Sequence, residues 1–421
     1  MEIKEKLQEG ICTDYLSDLE GGFLRMRLSH KCNCVCEFCY QQHWNDEEQN
    51  AEMDPKWIYE YCKPLYSRVK TVFVGGGELT VAKEGYNFCK FLAENYPQTN
   101  VLTESNGLLY NEKWQELAVN NLFSAHFSLN AACGETYEEA VWKEGGGKAY
   151  QKISTNIKNL TNKYISNGLS AFAPSVSMVV NSKSAKDIYN FIKLALEWRL
   201  RGILFYFDHR EGSYGGQGFT HPETIEPVLK QLMEIERVLS KKFFIYFRLW
   251  LPLNSSQRLQ DEVENIPIDV LRKKYEELLF LAKDRDIIKE YEERQKLRRE
   301  RNKKTYTLDE DIYPTLHKKN IINEKKEKVN VCAIAWHGLD LFATGRLDIC
   351  AWLNQPLLNI KECIIDEKVD WVKVINNKTC QNLRKNMLQN DFSYCMDCCP
   401  LNPKNPHLND VHKYGLERKT P

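Results

Sequence analysis

Three cysteines close together near the start of the chain constrain its fold more than any other feature. Cys32, Cys36 and Cys39 have the spacing C-x3-C-x2-C and follow the alternating run 23–28, which predicts a short strand. Three thiolates can bind three corners of a [4Fe-4S] cube and leave the fourth iron open. The spacing alone leaves two alternatives, a structural zinc loop in which Cys34 is the fourth ligand and a group of reduced thiols without metal.

The composition indicates a globular protein that is too long for one small core. The chain has 421 residues and equal numbers of basic and acidic side chains, 58 each, so its net charge gives no support for a nucleic-acid or anionic membrane partner. No apolar run approaches the roughly 18 residues that span a bilayer, and the N-terminus lacks the apolar region of a signal peptide. Fifteen cysteines favour metal or redox use in a reducing compartment. We therefore expect a cytoplasmic protein.

Strand and helix patterns alternate along the first half of the chain. Strands separated by helices of about 10–15 residues indicate βα units with parallel pairing. We expect a partial (β/α)6 barrel of the TIM type, an α/β fold whose site lies at the carboxyl ends of the strands. The predicted strands are 23–28, 71–74, 100–104, 123–129, 172–180 and 202–207, followed by 243–247, and the predicted helices are 54–68, 88–96, 113–120, 149–162, 184–197 and 222–240.

Composition shifts predict four parts of the chain. They are an N-terminal arm over 1–22, the core barrel over 23–255, a charged helical connector over 256–328 and a small cysteine-rich iron-sulfur domain over 329–421, expected as a separate unit. Mixed charges at helical spacing around 292–301 are typical of a solvated helix face.

A glycine-rich turn follows the second predicted strand, and it ends in Gly76, Gly77 and Glu78. Glycines let the backbone approach a ligand closely, and the carboxylate can hold an ammonium group. Together with the cysteine spacing and the βα order, this turn resembles the radical S-adenosylmethionine (SAM) superfamily over roughly residues 22–210.

The resemblance implies a set of ligands. Cys32, Cys36 and Cys39 would hold a [4Fe-4S] cluster, and the amino and carboxylate groups of SAM would chelate its open iron. The Gly76-Gly77-Glu78 segment would contact the methionine part, with Glu78 accepting a hydrogen bond from the amino group. Four polar residues after the third and fourth strands lie where family members contact the ribose or carboxylate, although each is equally typical of a turn. They are Ser105, Asn106, Ser128 and Asn130.

The C-terminal segment carries a second group of cysteines. A predicted hairpin over 339–350 brings Cys332 and Cys350 to one end, and Cys395 and Cys398 form a later C-x2-C pair. Four such thiolates make a closed set that suits an iron-sulfur cluster or zinc. The order resembles the SPASM/twitch extensions of some radical SAM enzymes, which implies one auxiliary [4Fe-4S] cluster.

Three thiols keep open roles beside this set. Cys399 is an alternative to Cys398 as the fourth ligand, and Cys363 and Cys380 are either spare or a hydrogen donor to a substrate radical.

The resemblance implies cleavage of SAM to a 5′-deoxyadenosyl radical that abstracts hydrogen from a substrate. The first hypothesis is modification of a peptide or protein, with the auxiliary cluster assisting electron transfer. The alternatives are a dehydrogenase or epimerase of a sugar or aminocyclitol, a zinc or iron-sulfur scaffold without catalysis, and a plain electron-transfer protein. The 22-residue arm is too short to recognise a leader peptide, which weakens the first hypothesis.

The expected partners are a peptide or small-molecule substrate and an electron donor such as flavodoxin or ferredoxin. Tyr206 and Asp208, at the end of the sixth strand, are predicted to contact the substrate. The glycine-rich loop 208–218 that follows predicts either a cover over the substrate or a plain connector.

Overall fold

A computed structural model describes residues 22–39, 41, 44–207, 222–247, 253–301, 320–322, 328–330, 338–349 and 358–388. Several predicted features lie outside these ranges, namely most of the N-terminal arm, the loop 208–218 with Asp208, and the four auxiliary cysteines Cys332, Cys350, Cys395 and Cys398. No helix in the described part of the chain combines the length and apolar character that a membrane span needs.

The strands follow the predicted alternation closely through residue 247. They are β1 Phe23–Ser29, β2 Thr71–Gly76, β3 Asn100–Ser105, β4 Ser124–Ser128, β5 Ser175–Val180, β6 Gly202–Phe207, β7 Phe244–Phe247, β8 Asn320–Ile322, β9 Lys328–Asn330, β10 Gly338–Phe342, β11 Arg346–Asp348, β12 Leu358–Asn359, β13 Ile364–Ile365 and β14 Lys368–Val369.

The α-helices lie between these strands and in the charged segment. They are α1 Asp46–Gln49, α2 Lys63–Tyr66, α3 Gly85–Asn95, α4 Glu112–Asn120, α5 Gly134–Ala140, α6 Gly146–Ser166, α7 Ile188–Glu197, α8 Pro222–Leu239, α9 Leu253–Glu264, α10 Ile268–Lys274, α11 Glu276–Leu281, α12 Ile287–Arg301, α13 Trp371–Ile375 and α14 Lys378–Leu388. Single 3-10 turns cover Leu79–Val81, Ser170–Phe172, Ala185–Asp187 and Ile360–Cys363.

The described residues form two compact units. The first lies within Met1–Lys31, Asn50–Leu102 and Tyr306–Pro421, and the second lies within Cys32–Gln49 and Thr103–Thr305. These units divide the chain at positions other than the predicted boundaries, so the predicted domain limits stay predictions.

The sheet of the first unit is mixed, in the order β12-β11-β10-β1-β2 with the start of β3 at its end. Strand β1 pairs parallel with β10 and β2, whereas β11 pairs antiparallel with β10 and β12. On β1 the side chains alternate, because Leu24, Met26 and Leu28 are buried while Phe23 and Arg25 are half-buried. One face of the strand therefore packs into the apolar core and the other carries the charged residues.

The C-terminal hairpin belongs to this sheet. Strands β10 and β11 pair antiparallel across a turn in which Gly345 has φ +87°, so the predicted hairpin is confirmed. Strand β10 in turn pairs parallel with β1, in a register that sets Phe23 against Gly338 and Arg27 against Phe342.

A buried ion pair fastens β10 to β1. The Arg27 guanidinium donates to both carboxylate oxygens of Asp340, at 3.0 and 2.9 Å, and Asp340 is only 2% exposed. The same guanidinium lies 4.5 Å from the centre of the Phe342 ring. Paired and hydrogen-bonded in this way, a buried carboxylate is tolerated, whereas removal of one partner leaves the other charge uncompensated.

Strands β3 to β7 run in chain order through the second unit, with parallel pairing of β4, β5, β6 and β7. Helix α6 has buried residues at helical spacing, among them Ile153, Ile157, Leu160 and Tyr164. The Tyr164 hydroxyl donates to the Phe123 carbonyl, directly before β4, at 2.7 Å. The parallel order is that of the predicted (β/α) frame.

The predicted helix over 54–68 is wrong in form. A π-helical turn covers Trp57–Tyr61, and a separate α2 then begins at Lys63 with Pro64 in its first turn. Pro64 has no backbone N–H to continue the preceding helix, and a first helical turn is where proline is tolerated.

The charged connector is helical as far as Arg301, through α9 to α12. Its continuation as helix is wrong at Asn320–Ile322, which is strand β8 and pairs antiparallel with β9. The four helices belong to the second unit, where the buried Glu234 of α8 accepts hydrogen bonds from Tyr275 at 2.6 Å and Lys274 at 2.5 Å. The helices of the charged connector therefore carry side chains of both signs and also contact α8 through a few buried polar groups.

The Arg27–Asp340 pair predicts a stability difference between two charge deletions. Asp340→Ala should lower the free energy of unfolding by about 3 kcal/mol, because it leaves the half-buried Arg27 guanidinium without its carboxylate partner. Glu94→Ala removes an exposed partner of Lys90 at 3.7 Å and should cost less than about 0.5 kcal/mol. Urea unfolding followed by circular dichroism measures both variants. Equal losses would contradict a structural role for the buried pair.

Candidate active site

The cysteine loop lies at the start of the second unit, directly after β1 and Lys31 in the chain. Burial, followed by the charges of Cys32 and Cys39, raises the pKa of the Cys36 thiol. Burial also raises the pKa of Cys39. The three thiols are thus close enough to oppose each other's ionisation. A bound cation removes that opposition, and thiolates are the ligands of iron-sulfur clusters.

Glu37, inside the cysteine loop, attaches the loop to the segment after α5. Its backbone N–H donates to the Val141 carbonyl at 3.0 Å. Its carboxylate lies 2.8 Å from Lys143 Nζ and 3.6 Å from Lys183 Nζ. A fixed backbone hydrogen bond and two ion pairs therefore restrain the stretch between the second and third cysteines.

Tyr137 of α5 packs beneath the same loop and is 1% exposed. Burial raises the pKa of its hydroxyl, and the neighbouring charges of Cys36, Cys34 and Cys32 and a hydrogen bond with Cys34 raise it further. The hydroxyl therefore stays protonated. Cys34, the cysteine that is not part of the C-x3-C-x2-C pattern, is thereby held against buried protein.

Asn106, at the turn after β3, contacts the first part of the loop. Its Nδ2 lies 2.7 Å from Asn33 Oδ1 and 3.8 Å from Cys32 Sγ. Its Oδ1 accepts the Leu108 N–H at 3.0 Å. The predicted contact of Asn106 with SAM stays a prediction, and the structure gives this side chain a position against the cysteine loop.

Ser105, which precedes it, is a turn residue. Its Oγ accepts the Gly107 N–H at 3.0 Å, and the residue is 5% exposed. Ser105 therefore takes part in the turn, and its predicted contact with SAM stays a prediction.

Asn130, after β4, bonds to the backbone, whereas Ser128, the last residue of β4, is exposed. Asn130 is buried with φ +62°, donates to the Ser128 carbonyl at 3.2 Å and accepts the Val179 N–H at 2.9 Å. Its amide therefore ties the ends of β4 and β5 together. Ser128 is exposed at the end of its strand, which is compatible with the predicted ligand contact.

One face of the second unit's sheet carries polar side chains. Ser128 shares this face with His126, because alternate residues of a strand point the same way. His126 Nδ1 lies 2.9 Å from the oxygen of its register partner Ser175. Tyr206, which is 41% exposed, lies on the same face at the end of β6. Its predicted contact with the substrate stays a prediction.

The glycine turn belongs to the first unit and lies against the end of β1. Gly76 has φ +145°, and a Cβ there would lie 2.1 Å from the Ser29 carbonyl oxygen. A Cβ on Gly77 would lie 2.3 Å from the His30 oxygen and 2.4 Å from the Lys31 oxygen. Both positions therefore require glycine, since side-chain atoms have no room beside the backbone that leads into the cysteine loop.

Glu78 completes this turn with a buried carboxylate, 1% exposed. Its backbone N–H donates to the Lys31 carbonyl at 2.8 Å. Its Oε1 accepts from the Thr80 N–H at 2.8 Å and the Thr80 hydroxyl at 2.6 Å. The carboxylate caps the 3-10 turn over Leu79–Val81, and the same bonds fix its orientation.

The three cysteines of the loop supply thiolates, which are the ligands of iron-sulfur clusters. Within the described ranges, no three His, Cys, Asp or Glu side chains converge so that they could hold one metal ion. Convergence on one point is not required of cluster ligands, because each thiolate binds a different iron of the cube.

The fold and the loop together define an α/β protein with an iron-sulfur type cysteine loop after its first strand. Residues 26–195 match the Radical SAM superfamily. Residues 26–195 are therefore similar to the radical SAM superfamily, and this similarity indicates an enzyme that uses SAM and a [4Fe-4S] cluster.

Curated relatives share part of the chain. A probable GTP 3′,8-cyclase of Saccharolobus islandicus is 24% identical over 225 residues, which are 52% of this chain and 68% of that protein. A tungsten-containing aldehyde ferredoxin oxidoreductase cofactor-modifying protein of Pyrococcus furiosus is 27% identical over 109 residues, which are 26% of this chain and 30% of that protein.

Among solved structures, Streptococcus suis SuiB bound to the precursor peptide SuiA has a TM-score of 0.55 at 12% identity, covering 90% of this chain and 69% of that one. SuiB bound to S-adenosylmethionine has a TM-score of 0.53. At this identity the likeness shows the fold, which agrees with the predicted α/β class.

Sequence reasoning missed the residues that hold the cysteine loop in place. Tyr137, Val141 and Lys183 come from segments about a hundred or more positions away, and nothing in their local pattern distinguishes them from core or surface residues. Glu37 offered a signal, since a charged residue between two cysteines needs a partner in a partly buried loop.

The backbone cradle predicts different effects for two glycine substitutions. Gly77→Ala should weaken SAM binding more than about tenfold, equivalent to about 1.4 kcal/mol, because its Cβ displaces the Lys31 carbonyl that receives the Glu78 N–H. Gly147→Ala should leave binding unchanged, since its Cβ would lie 3.0 Å from the end of the Glu138 side chain and 3.8 Å, an ordinary van der Waals distance, from the Gly134 carbonyl oxygen. Equilibrium dialysis with labelled SAM gives both values, and equal affinities would contradict the cradle.

Proposed function

We propose that the chain is a radical SAM enzyme that abstracts hydrogen from a side chain or backbone carbon of a peptide or protein, assisted by an auxiliary [4Fe-4S] cluster. The observation that carries the proposal is the C-x3-C-x2-C loop within a matched radical SAM domain. We assign the SAM-binding cluster to Cys32, Cys36 and Cys39.

When bound and reduced, this cluster supplies the electron that cleaves SAM and so provides the hydrogen-abstracting 5′-deoxyadenosyl radical. The chain's own residues orient and shield. Gly76, Gly77 and Glu78 are proposed to bind the methionine part, because two positions without side chains and one oriented carboxylate suit an α-amino acid.

The remaining polar residues are assigned by their environment. Ser128 and Tyr206, exposed on one sheet face, are proposed as ligand and substrate contacts, and Asp208 with them from the sequence. Ser105 and Asn130 are proposed to act by holding the strand ends, because their polar atoms bond the backbone there.

The fold supports a peptide as the substrate. SuiB, whose fold covers 90% of this chain, was solved with its precursor peptide SuiA. That coverage extends beyond the matched domain at 26–195. An electron donor such as flavodoxin or ferredoxin, and a cytoplasmic location, belong to the proposal because a reduced cluster needs a one-electron source and a reducing compartment.

A small molecule is the second candidate substrate. The similarity to a probable GTP 3′,8-cyclase, 24% identical over half of this chain, favours it. A sugar or aminocyclitol remains within this class. Incubation of the reduced enzyme with SAM and either GTP or a synthetic peptide discriminates the two, because only the true substrate raises 5′-deoxyadenosine formation above the uncoupled rate.

The cluster assignment predicts iron contents that differ between cysteine variants. Replacement of Cys32, Cys36 and Cys39 together by alanine should remove about four irons per chain and abolish SAM cleavage. Cys34→Ala is the matched control in the same loop and should keep both, since its thiol faces Tyr137. Anaerobic iron and sulfide analysis measures the loss. Cleavage that survives the triple replacement would refute the assignment.

The auxiliary cluster makes a separate prediction. Cys332, Cys350, Cys395 and Cys398 are proposed as its ligands, so Cys395→Ser with Cys398→Ser should lower the iron content from about eight to about four per chain while SAM cleavage persists. Cys363→Ser serves as control. An unchanged iron content would assign the C-terminal thiols to zinc or to no metal, and zinc analysis of the same samples separates these two outcomes.

A further inference from the structure

We propose that Asn106 is a positioning residue for the iron-sulfur cluster, and that its amide N–H, donated to the Cys32 sulfur, raises the reduction potential of that cluster. This inference rests on the proposed function, because it requires Cys32 to be a cluster ligand. It gives Asn106 a role other than the SAM contact that the sequence predicts.

The orientation of the Asn106 amide is fixed by its surroundings. Its oxygen accepts the Leu108 N–H at 3.0 Å, which leaves the NH2 group to face the cysteine loop. There Nδ2 lies 2.7 Å from Asn33 Oδ1 and 3.8 Å from Cys32 Sγ. The opposite orientation would set oxygen against oxygen at Asn33. The donor therefore points at the loop and not away from it.

The turn that carries Asn106 is rigid. Asn156 of α6 donates to the Gly107 carbonyl at 2.8 Å and to the Leu108 carbonyl at 3.2 Å. Gly107 has φ +82°, and a Cβ there would lie 3.2 Å from both Ile153 and Phe127. A donor on such a turn keeps its place when the cysteine loop shifts, so it can hold Cys32 in position.

Hydrogen bonds to cluster sulfurs act on the reduction potential. Reduction adds negative charge to the cluster and its thiolates, and a donor N–H stabilises the more negative state. Cys32 is the most exposed of the three loop cysteines. A protein donor at this sulfur replaces water with a fixed dipole, and its removal makes the cluster harder to reduce.

The experiment compares variants by redox titration of the whole chain, monitored by electron paramagnetic resonance without SAM. Asn106→Ala should shift the potential of the Cys32 cluster to a more negative value with about four irons retained in that cluster. Asn106→Asp keeps an acceptor for the Leu108 N–H, loses the donor and adds a negative charge, so its shift should be larger. Asn106→Ser, whose hydroxyl can donate, should lie between Asn106→Ala and the natural protein.

Asn156→Ala is the matched control. It loosens the same turn by removing the two bonds to Gly107 and Leu108 but keeps the Asn106 donor, so its shift in potential should be smaller than that of Asn106→Ala. Equal potentials for Asn106→Ala and the natural protein, or an equal shift in Asn156→Ala, would overturn the inference. A natural protein without iron would instead refute the proposed function, so the two failures are distinguishable.

Discussion

Three thiols within one short loop oppose each other's ionisation, and the rest of the site depends on this constraint. Burial and mutual repulsion raise the pKa of Cys36, the central cysteine of the loop. Thiolates held near one another in this way have a strong affinity for iron, which compensates their charge. The protein contributes contacts that restrain the cysteine loop within its own unit.

The fixing contacts come from elements that surround the loop in its own unit. Asn106 holds Asn33, Glu37 bonds to Val141 and two lysines, and Tyr137 lies beneath Cys34. In the other unit, the glycine turn bonds to the backbone of β1 up to Lys31, the residue before Cys32. The loop follows this strand in the chain, and the polar contacts of its own unit restrain it.

Most strands and helices of the βα units were predictable because their apolar patterns lie within each element's own sequence. Apolar runs such as Val72-Phe73-Val74 and the helical spacing of α6 depend on neighbours in sequence, so their bounds were predicted within a few residues. The prediction of one helix over 54–68 was wrong, because a new helix begins at Lys63 with Pro64 in its first turn. The pairing of β10 with β1 was not predictable from local pattern, since it joins residues 313 positions apart through Arg27 and Asp340.

The residues of the candidate site likewise fall into those that local pattern predicts and those that it leaves ambiguous. The close backbone approach at Gly76 and Gly77 was predictable because glycine has no side chain. The spacing of the three cysteines predicts that they bind a [4Fe-4S] cluster. Ser105 and Asn106 were ambiguous because serine and asparagine serve turns and ligands alike. In the structure, Ser105 Oγ bonds to the backbone of the turn, whereas the Asn106 amide contacts Asn33 in the cysteine loop.

The most direct test of the central claim is SAM cleavage by the anaerobically purified natural chain. The protein is incubated with dithionite and SAM, and 5′-deoxyadenosine is quantified by liquid chromatography against a sample without reductant. The account predicts 5′-deoxyadenosine that depends on reductant, together with a change in the electron paramagnetic resonance signal of the reduced cluster when SAM is added. A protein that contains a [4Fe-4S] cluster but forms no 5′-deoxyadenosine and shows no spectral change with SAM would contradict it.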